Sequence, residues 1–198
     1  MKKILIIGPS WVGDMMMAQV LFQLLRQQNP HCQIHVLAPK WSEALLSRMP
    51  EVAKRIVLPF GHGKLQLRKR YQFAKQLRAE KYDQAIVLPN SLKSALIPYW
   101  ANIPVRTGWL GEYRFGLLND VRYLNKKYFS KMVERFAALA FVRNVMIPAN
   151  LPVPQLQVNS ENIAVALQKY NLKTDKPILA LCPGAEFGPS KCWPAEYY

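Results

Sequence analysis

The sequence predicts an α/β protein built on a parallel, doubly wound sheet. Short apolar runs that end in Gly or Pro alternate with longer segments in which apolar residues recur at helical spacing. This alternation is typical of strands and helices that follow one another in a parallel sheet. The chain has 198 residues, of which 51% are hydrophobic and 20% are charged. That length provides one ordinary domain, or one domain with part of a second, and the composition excludes general disorder.

The individual elements follow from the spacing of apolar residues. The first strand is predicted at residues 3–8, where four aliphatic residues precede Gly8, and a helix is predicted over 12–27. The helix at 91–100 should begin with Asn90 or Ser91 as its N-cap. The remaining strands are predicted at 33–38, 55–58, 82–88 and 105–108, and the remaining helices at 41–47, 65–80 and 131–144.

The composition changes after Asn144, which indicates a domain boundary. Three prolines within 147–157 predict an extended linker. A helix at 159–170, a strand at 177–182 and a helix start near Trp193 then resemble the opening of another α/β unit. We therefore predict an N-terminal domain over 1–148, a linker over 149–158 and an incomplete start of a second domain over 159–198.

Net charge is the most informative property of the composition. The chain carries 27 Lys and Arg against 12 Asp and Glu, a formal net charge of +15 at pH 7. Such an excess predicts an anionic partner, namely nucleic acid, an anionic membrane surface or a phosphorylated substrate. A protein that is merely basic is the alternative.

Cysteine usage and hydropathy indicate a cytoplasmic protein. The three cysteines are scattered, and neither they nor the three histidines have the spacing of metal ligands, so we expect no metal. No apolar run reaches the ~18 residues that a membrane-spanning helix needs. The apolar N-terminus is broken by Gly8, Pro9 and Asp14 before it could form the core of a signal peptide.

Ligands of doubly wound sheets bind beyond the carboxyl ends of the strands, so four loops are candidates for chemistry. They are 8–14, 59–64, 89–93 and 108–114. The first of them contains Asp14, in the first turn of the following helix, where the helix dipole favours a negative charge. A carboxylate there could act as a general base on a hydroxyl, or it could simply complement the helix, and both interpretations are open.

Basic residues concentrate in the other loops. Lys64 and Arg68 are four residues apart in a strongly basic segment, and Arg106 and Arg114 flank a stretch with two aromatics and two glycines. Lys191 follows the strand predicted at 177–182. Such residues suit phosphate, carboxylate and sugar recognition, or they form a solvated basic face. No established nucleic-acid-binding motif accompanies them, so nucleic acid is a secondary hypothesis.

Taken together, several segments closely resemble glycosyltransferase family nine. They are 8–15 (GPSWVGDM), 46–52 (LSRMPEV), 88–95 (LPNSLKSA), 106–109 (RTGW) with 116–120 (GLLND), and 182–188 (CPGAEFG) with Lys191 and Trp193-Pro194. The resemblance covers the whole chain in order. It implies the GT-B architecture, in which two Rossmann-like domains face each other across the active site, with the acceptor domain first.

The family resemblance also implies a reaction and its residues. The reaction is inverting transfer of L-glycero-D-manno-heptose from ADP-heptose to the first heptose of the lipopolysaccharide inner core, without metal or other cofactor. Asp14 matches the general base and Lys191 matches a lysine that binds the donor diphosphate. The resemblance places four cations in regions that face the phosphate and Kdo carboxylates of the acceptor: Lys64, Arg68, Arg106 and Arg114.

The resemblance places the family's main donor loop beyond residue 198. The chain is therefore expected to retain acceptor binding, to lack most of the donor site and to be inactive in transfer by itself. Its location is expected to be peripheral to the anionic inner face of the cytoplasmic membrane of a Gram-negative bacterium, where the phosphorylated Kdo-heptose-lipid A acceptor lies. A non-catalytic remnant, or a basic module that binds anionic glycolipid or nucleic acid, is the alternative.

Overall fold

The computed structural model of the chain describes residues 1–60, 65–185 and 188–197. They form two compact units, Met1–Gln157 and Val158–Tyr198. The first unit contains the sheet, whereas the described secondary structure of the second unit is helical. Each unit is described by itself.

A six-stranded parallel sheet forms the centre of the first unit, which confirms the predicted fold class. Its order is β3-β2-β1-β4-β5-β6. The strands are Lys3–Ile7 (β1), Gln33–Ala38 (β2), Val52–Val57 (β3), Gln84–Val87 (β4), Val105–Trp109 (β5) and Asp120–Arg122 (β6). The chain winds from β1 in one direction and, from β4, in the other. This reversal creates a topological switch point between β1 and β4, where parallel sheets bind ligands.

The sequence does not predict β6, because its three residues include Asp120 and Arg122 and show no apolar run. Polar side chains link this strand to β5, and β5 in turn to β4. Gln84 Nε2 donates to Thr107 Oγ1 at 2.9 Å, and Thr107 Oγ1 donates to Asp120 Oδ2 at 2.9 Å. Side-chain hydrogen bonds across three strands therefore add to the packing of Val121 at this edge of the sheet.

Helices cover both faces of the sheet. The α-helices are Val12–Gln28 (α1), Glu43–Leu46 (α2), Leu67–Leu77 (α3), Leu92–Trp100 (α4), Met132–Ala138 (α5) and Ser160–Lys169 (α6). The prediction of a helix over 131–144 is wrong beyond Ala138. There the N–H groups of Ala140 and Phe141 donate to carbonyls three residues back, and Asn144 adopts a φ of 60°. The helix thus tightens into turns and stops.

The core divides into two main layers, one on each face of the sheet. Ile4 and Ile6 of β1 pack in the layer that contains α1 and part of α5, whereas Leu5 and Ile7 pack in the layer that contains α3 and α4. Successive side chains of a strand point to opposite faces, so the unbroken apolar run of β1 fills both layers. This is why β1 is predictable from the sequence.

The segment that precedes Val158 is held against the first unit by side-chain and backbone hydrogen bonds. The amide of Gln19, buried in α1, bonds both the N–H and the carbonyl of Gln155, at 2.9 and 2.8 Å. Gln23 Nε2 donates to the carbonyl of Val153, and the N–H of Gln157 donates to the carbonyl of Arg48. The compact unit consequently extends to Gln157, beyond the boundary that we predict at 148.

The second unit contains α6, whose N-cap is Asn159. The side chain of Asn159 accepts hydrogen bonds from the N–H groups of Glu161 and Asn162. The prediction of a strand at 177–182 is wrong, because these residues pair with no strand among the described residues, and Leu179 is 81% exposed. A strand requires a neighbour to hydrogen-bond.

Across the described parts of the chain, no helix has both the length and the apolar character needed to cross a bilayer. Within those same residues, no three His, Cys, Asp or Glu side chains converge as metal ligands would.

The amino edge of the sheet is fixed by a network of three charges. Glu80, in a 3-10 turn Arg78–Glu80, accepts from Lys3 Nζ at 3.0 Å and from Lys54 Nζ at 2.6 Å. These two hydrogen bonds lower the pKa of Glu80 from 4.5 to about 2. The network joins the start of β1 to β3.

Replacing Glu80 with Gln is expected to lower the free energy of unfolding by about 1 kcal/mol at neutral pH, because the ion pairs are only partly exposed. The native pKa lies below the ordinary one, so the stabilisation is complete above pH 4.5 and is lost as the pH falls toward 2. Urea unfolding at neutral pH and about pH 3 should show the difference between the two proteins shrinking. Glu43→Gln, at an exposed carboxylate without an ion pair among the described residues, is the control. Equal losses in both variants would contradict the network's role.

Candidate active site

A cleft of about 280 Å³ opens at the carboxyl ends of β1 and β4, at the switch point of the sheet. It is lined by the loops that follow β1, β4 and β6, by the end of β5, by the start of α1 and by one face of α5. Its lining residues are Pro9, Ser10, Trp11, Asp14, Leu88, Pro89, Asn90, Trp109, Leu124, Met132, Arg135 and Phe136. Aromatic and aliphatic walls with a few polar groups are typical of a small-molecule site.

Asp14 is the carboxylate of this cleft. It lies in the first turn of α1, is partly buried, and follows the loop that leaves β1. The loop itself is anchored, since Trp41 Nε1 donates to the carbonyl of Ser10 at 2.9 Å. The N-terminus of a 17-residue helix stabilises a negative charge at this position. A fixed carboxylate in a cleft of this kind can accept a proton from a bound hydroxyl.

Arg114 does not reach the cleft, contrary to our expectation that it contacts an acceptor. Its side chain is fully buried, and Nη1 donates to the carbonyl of Pro89 at 2.6 Å and to that of Ser91 at 3.3 Å. Nη1 also lies 3.2 Å from Ser94 Oγ, and Nη2 donates to the carbonyl of Trp109. An arginine that is sequestered in this way organises the loops after β4 and β5, and its contact with an acceptor stays a prediction.

The loop that contains Arg114 also supports the start of α4. Glu112 Oε2 accepts from the N–H of Leu92 at 2.7 Å and thereby satisfies a free donor at the helix N-terminus. Gly111 lies against Asn90, where a Cβ atom would come within 2.7 Å of the Asn90 carbonyl oxygen. The loop after β5 therefore fixes Asn90, which lines the cleft from the β4 side.

Arg106 also donates its hydrogen bonds to backbone carbonyls, and its guanidinium lies away from the cleft. Nε donates to the carbonyl of Leu117 and Nη1 to the carbonyl of Ile103, both at 2.6 Å. The guanidinium carbon lies 5.5 Å from the centre of the Tyr99 ring. Ile103 precedes β5, at the amino edge of the sheet, so the structure does not support the acceptor role that we expect for Arg106.

The remaining sequence-predicted cations are placed differently. Arg68 is exposed in the first turn of α3 and is absent from the lining of the cleft. Lys64 lies outside the described residues. Lys191 is exposed in a 3-10 turn, Pro189–Lys191, of the second unit.

Arg135 is a cleft residue that the sequence analysis misses. Its Nε donates to the carbonyl of Phe129 at 3.0 Å and its Nη2 to that of Ser130 at 3.2 Å, which holds the guanidinium at the cleft wall. A signal for it exists in the sequence. Arg135 follows Met132 by three positions and precedes Phe136 by one, so the cation lies on the apolar stripe of α5 rather than on the solvent face.

Comparison with known proteins identifies relatives with the same architecture. The family model for glycosyltransferase family 9 (heptosyltransferase) matches residues 70–198. Lipopolysaccharide heptosyltransferase 2 of Salmonella typhimurium is 51% identical over 99% of this chain, and lipooligosaccharide heptosyltransferase 2 of Haemophilus influenzae is 54% identical over 98% of it. This chain spans 58% of the length of each of these curated relatives.

A solved structure, that of Escherichia coli ADP-heptose lipopolysaccharide heptosyltransferase II, is similar in fold and sequence. It matches 98% of this chain with a TM-score of 0.89 and 47% identity, and this chain covers 58% of it. The sheet, the switch point and the cleft described above therefore belong to a heptosyltransferase-like architecture.

Replacing Arg114 with Met is expected to lower the free energy of unfolding by about 3 kcal/mol, because it removes the buried hydrogen bonds that join the carbonyls of Pro89, Ser91 and Trp109. Arg68→Met, at an exposed position, should change it by less than about 0.5 kcal/mol. Urea unfolding of the two variants measures both values. Unchanged stability of Arg114→Met, together with weaker binding of an anionic oligosaccharide, would show instead that Arg114 is a ligand contact.

Proposed function

Because the chain belongs to glycosyltransferase family 9, we propose that it forms the acceptor-binding part of an inverting heptosyltransferase that acts on the lipopolysaccharide inner core. The donor is ADP-heptose, which the related Escherichia coli enzyme uses by name. The acceptor is the first heptose of a phosphorylated Kdo-heptose-lipid A. The observation that carries the proposal is the position of Asp14, a helix-terminal carboxylate in a cleft at the switch point of the sheet.

The proposed reaction requires a base at this position. In an inverting displacement the acceptor hydroxyl attacks the anomeric carbon from the face opposite the departing ADP, and it must lose its proton as the new bond forms. Asp14 accepts that proton. The aromatic walls of the cleft, Trp11 and Trp109, provide flat apolar surfaces on which a sugar ring can stack, which orients the hydroxyl toward the carboxylate.

We assign cations to the negative charges of the donor and the acceptor. In this proposal Lys191 contacts the diphosphate of the donor and stabilises the charge on the departing ADP. Arg135 takes the place at the cleft that we expect for Arg106 and Arg114, and it faces an anionic group of the acceptor. Arg68 remains a proposed outer contact because it is exposed. The reaction is proposed to take place at the cytoplasmic side of the inner membrane, without a metal.

In a longer chain that includes the expected donor loop, replacing Asp14 with Asn is expected to reduce heptose transfer about 10²- to 10⁴-fold, because the amide cannot accept the proton of the acceptor hydroxyl. The shape of the side chain is nearly conserved, so the affinity for a soluble inner-core oligosaccharide should change by less than about twofold. Transfer is followed by mass spectrometry of the acceptor after incubation with ADP-heptose, and affinity is followed by titration calorimetry.

The control for Asp14 is Asp175→Asn, at an exposed carboxylate of the second unit. It should leave both transfer and affinity unchanged. Normal transfer by Asp14→Asn would remove Asp14 from the mechanism. Failure of the unsubstituted chain to bind the oligosaccharide would remove the acceptor-domain proposal itself.

Replacing Arg135 with Gln is expected to weaken binding of the same oligosaccharide about tenfold, because a charge-assisted hydrogen bond is lost. Arg55→Gln, at an exposed arginine of β3 without a described hydrogen-bond partner, is the matched control and should have no effect. Calorimetric titrations at low and physiological salt compare the two. Equal weakening of both variants would indicate a response to net charge rather than a contact at the cleft.

A further inference from the structure

A second depression, of about 420 Å³, lies at the carboxyl ends of β5 and β6, beside the candidate cleft. Trp109 lines both cavities, so they share a wall. The outer part of the depression is formed by Tyr123 and Tyr128 after β6 and by residues that follow α5. Neither the proposed reaction nor the sequence analysis gives this surface a role.

The rim of the depression exposes large apolar side chains side by side. Tyr123 and Tyr128 are 69% and 53% exposed, and Val142, Val145 and Met146 are 72%, 47% and 78% exposed. Isolated exposed apolar residues are normal on a protein surface, whereas a contiguous group of five indicates an interaction site. We refer to these five residues as the apolar rim.

Positive charge surrounds the apolar rim. The segment 120–146 contains six Lys and Arg residues but only two carboxylates, Asp120 and Glu134. Asp120 is already paired with Arg122 at 2.7 Å and with Arg143 at 3.2 Å. Lys126 and Lys127 are exposed next to Tyr128, in a turn that is closed by Asn125. Few carboxylates therefore remain near this surface to offset the charge of its basic residues.

We propose that the apolar rim, with Lys126 and Lys127, docks on the surface of an anionic lipid bilayer. The inference deepens the proposed function, since a lipid-linked acceptor would then be presented beside the cleft that contains Asp14. Tyrosine, valine and methionine side chains enter the interfacial region of a bilayer, while lysines contact its anionic headgroups. One surface therefore offers side chains for the interfacial region of the bilayer and lysines for its headgroups.

The charge of the chain argues against a second copy as the occupant. Two chains, each with a net charge of +15, would have to bring like-charged rims together, and the repulsion would oppose burial of the apolar residues. An anionic bilayer supplies the opposite charge and an apolar interior together. It therefore complements the rim in both respects.

The amino edge of the sheet provides a comparison at equal charge, because exposed lysines lie there away from the depression. Lys2 and Lys81 are exposed there, next to β1 and β4. If charge alone caused membrane binding, both edges would contribute equally. If the rim docks, only the lysines beside it contribute strongly.

The test is co-sedimentation of the chain with vesicles of phosphatidylcholine and phosphatidylglycerol in equal parts, without any acceptor. Each basic residue near an anionic bilayer increases partitioning roughly fivefold, so Lys126→Gln with Lys127→Gln should weaken binding about 30-fold. Lys2→Gln with Lys81→Gln, which changes the net charge equally, should weaken it by no more than about twofold. Equal losses in the two pairs, or no binding of the unsubstituted chain, would overturn the proposal.

A second double variant tests the apolar part without changing charge. Val142→Thr with Met146→Gln should weaken binding about tenfold, and the residual binding should disappear at high salt. Unaltered binding would show that the rim does not enter the bilayer. If sedimentation velocity finds a dimer that this variant dissociates, a second copy is the occupant and the proposal fails. Neither rim variant should change the binding of a soluble inner-core oligosaccharide. That measurement separates the test of membrane docking from the test of the proposed function.

Discussion

The buried guanidinium of Arg114 is the interaction on which the geometry of the cleft depends. It joins the loop after β4 to the end of β5 through the carbonyls of Pro89, Ser91 and Trp109. Burial lowers the pKa of Arg114 to about 10, which still leaves the side chain charged at neutral pH. A charge in this position is tolerated because carbonyl dipoles surround it, and their own hydrogen-bonding needs are met in return. Two of the cleft walls are thus joined through one side chain.

The two edges of the sheet use their cations in different ways. At the amino edge, Lys3 and Lys54 are both paired with Glu80 and serve to connect strands. Beyond the carboxyl edge, Lys126 and Lys127 have no described ion-pair partner, while aromatic side chains accumulate near them. The total charge of the chain therefore says little about where an anion binds. Its functional meaning depends on which cations the fold leaves available.

The sequence predicts most of the sheet because its central strands are continuous apolar runs, such as those of β1 and β4, and such runs have few alternatives in an α/β chain. It does not predict β6, a three-residue strand with polar ends whose side-chain hydrogen bond between Thr107 and Asp120 has no local signature. The helix over 131–144 is overextended for a related reason. Apolar spacing continues past Ala138, but the backbone turns there.

The site is predictable to the extent that topology determines it. The position of Asp14 follows from a loop after the first strand, and any doubly wound sheet places that loop at the carboxyl edge. The roles of Arg106 and Arg114 do not follow, because a loop arginine has the same local pattern whether it faces solvent or carbonyl groups. Arg135 is missed for the converse reason, since an arginine within an amphipathic helix is ordinarily assigned to the solvent face.

Trp109 relates the candidate cleft to the surface proposed for membrane docking. It ends β5, its Nε1 donates to the carbonyl of Arg135 at 3.1 Å, and its ring packs against Phe129. These contacts fix Trp109, which lines both cavities. The separation of the two cavities therefore depends on a residue of the sheet. An enzyme that acts on a sugar near a lipid anchor needs such a fixed separation, because the reacting hydroxyl lies at a defined height above the bilayer. If the apolar rim docks as proposed, the indole of Trp109 between the two cavities sets that height from the protein side.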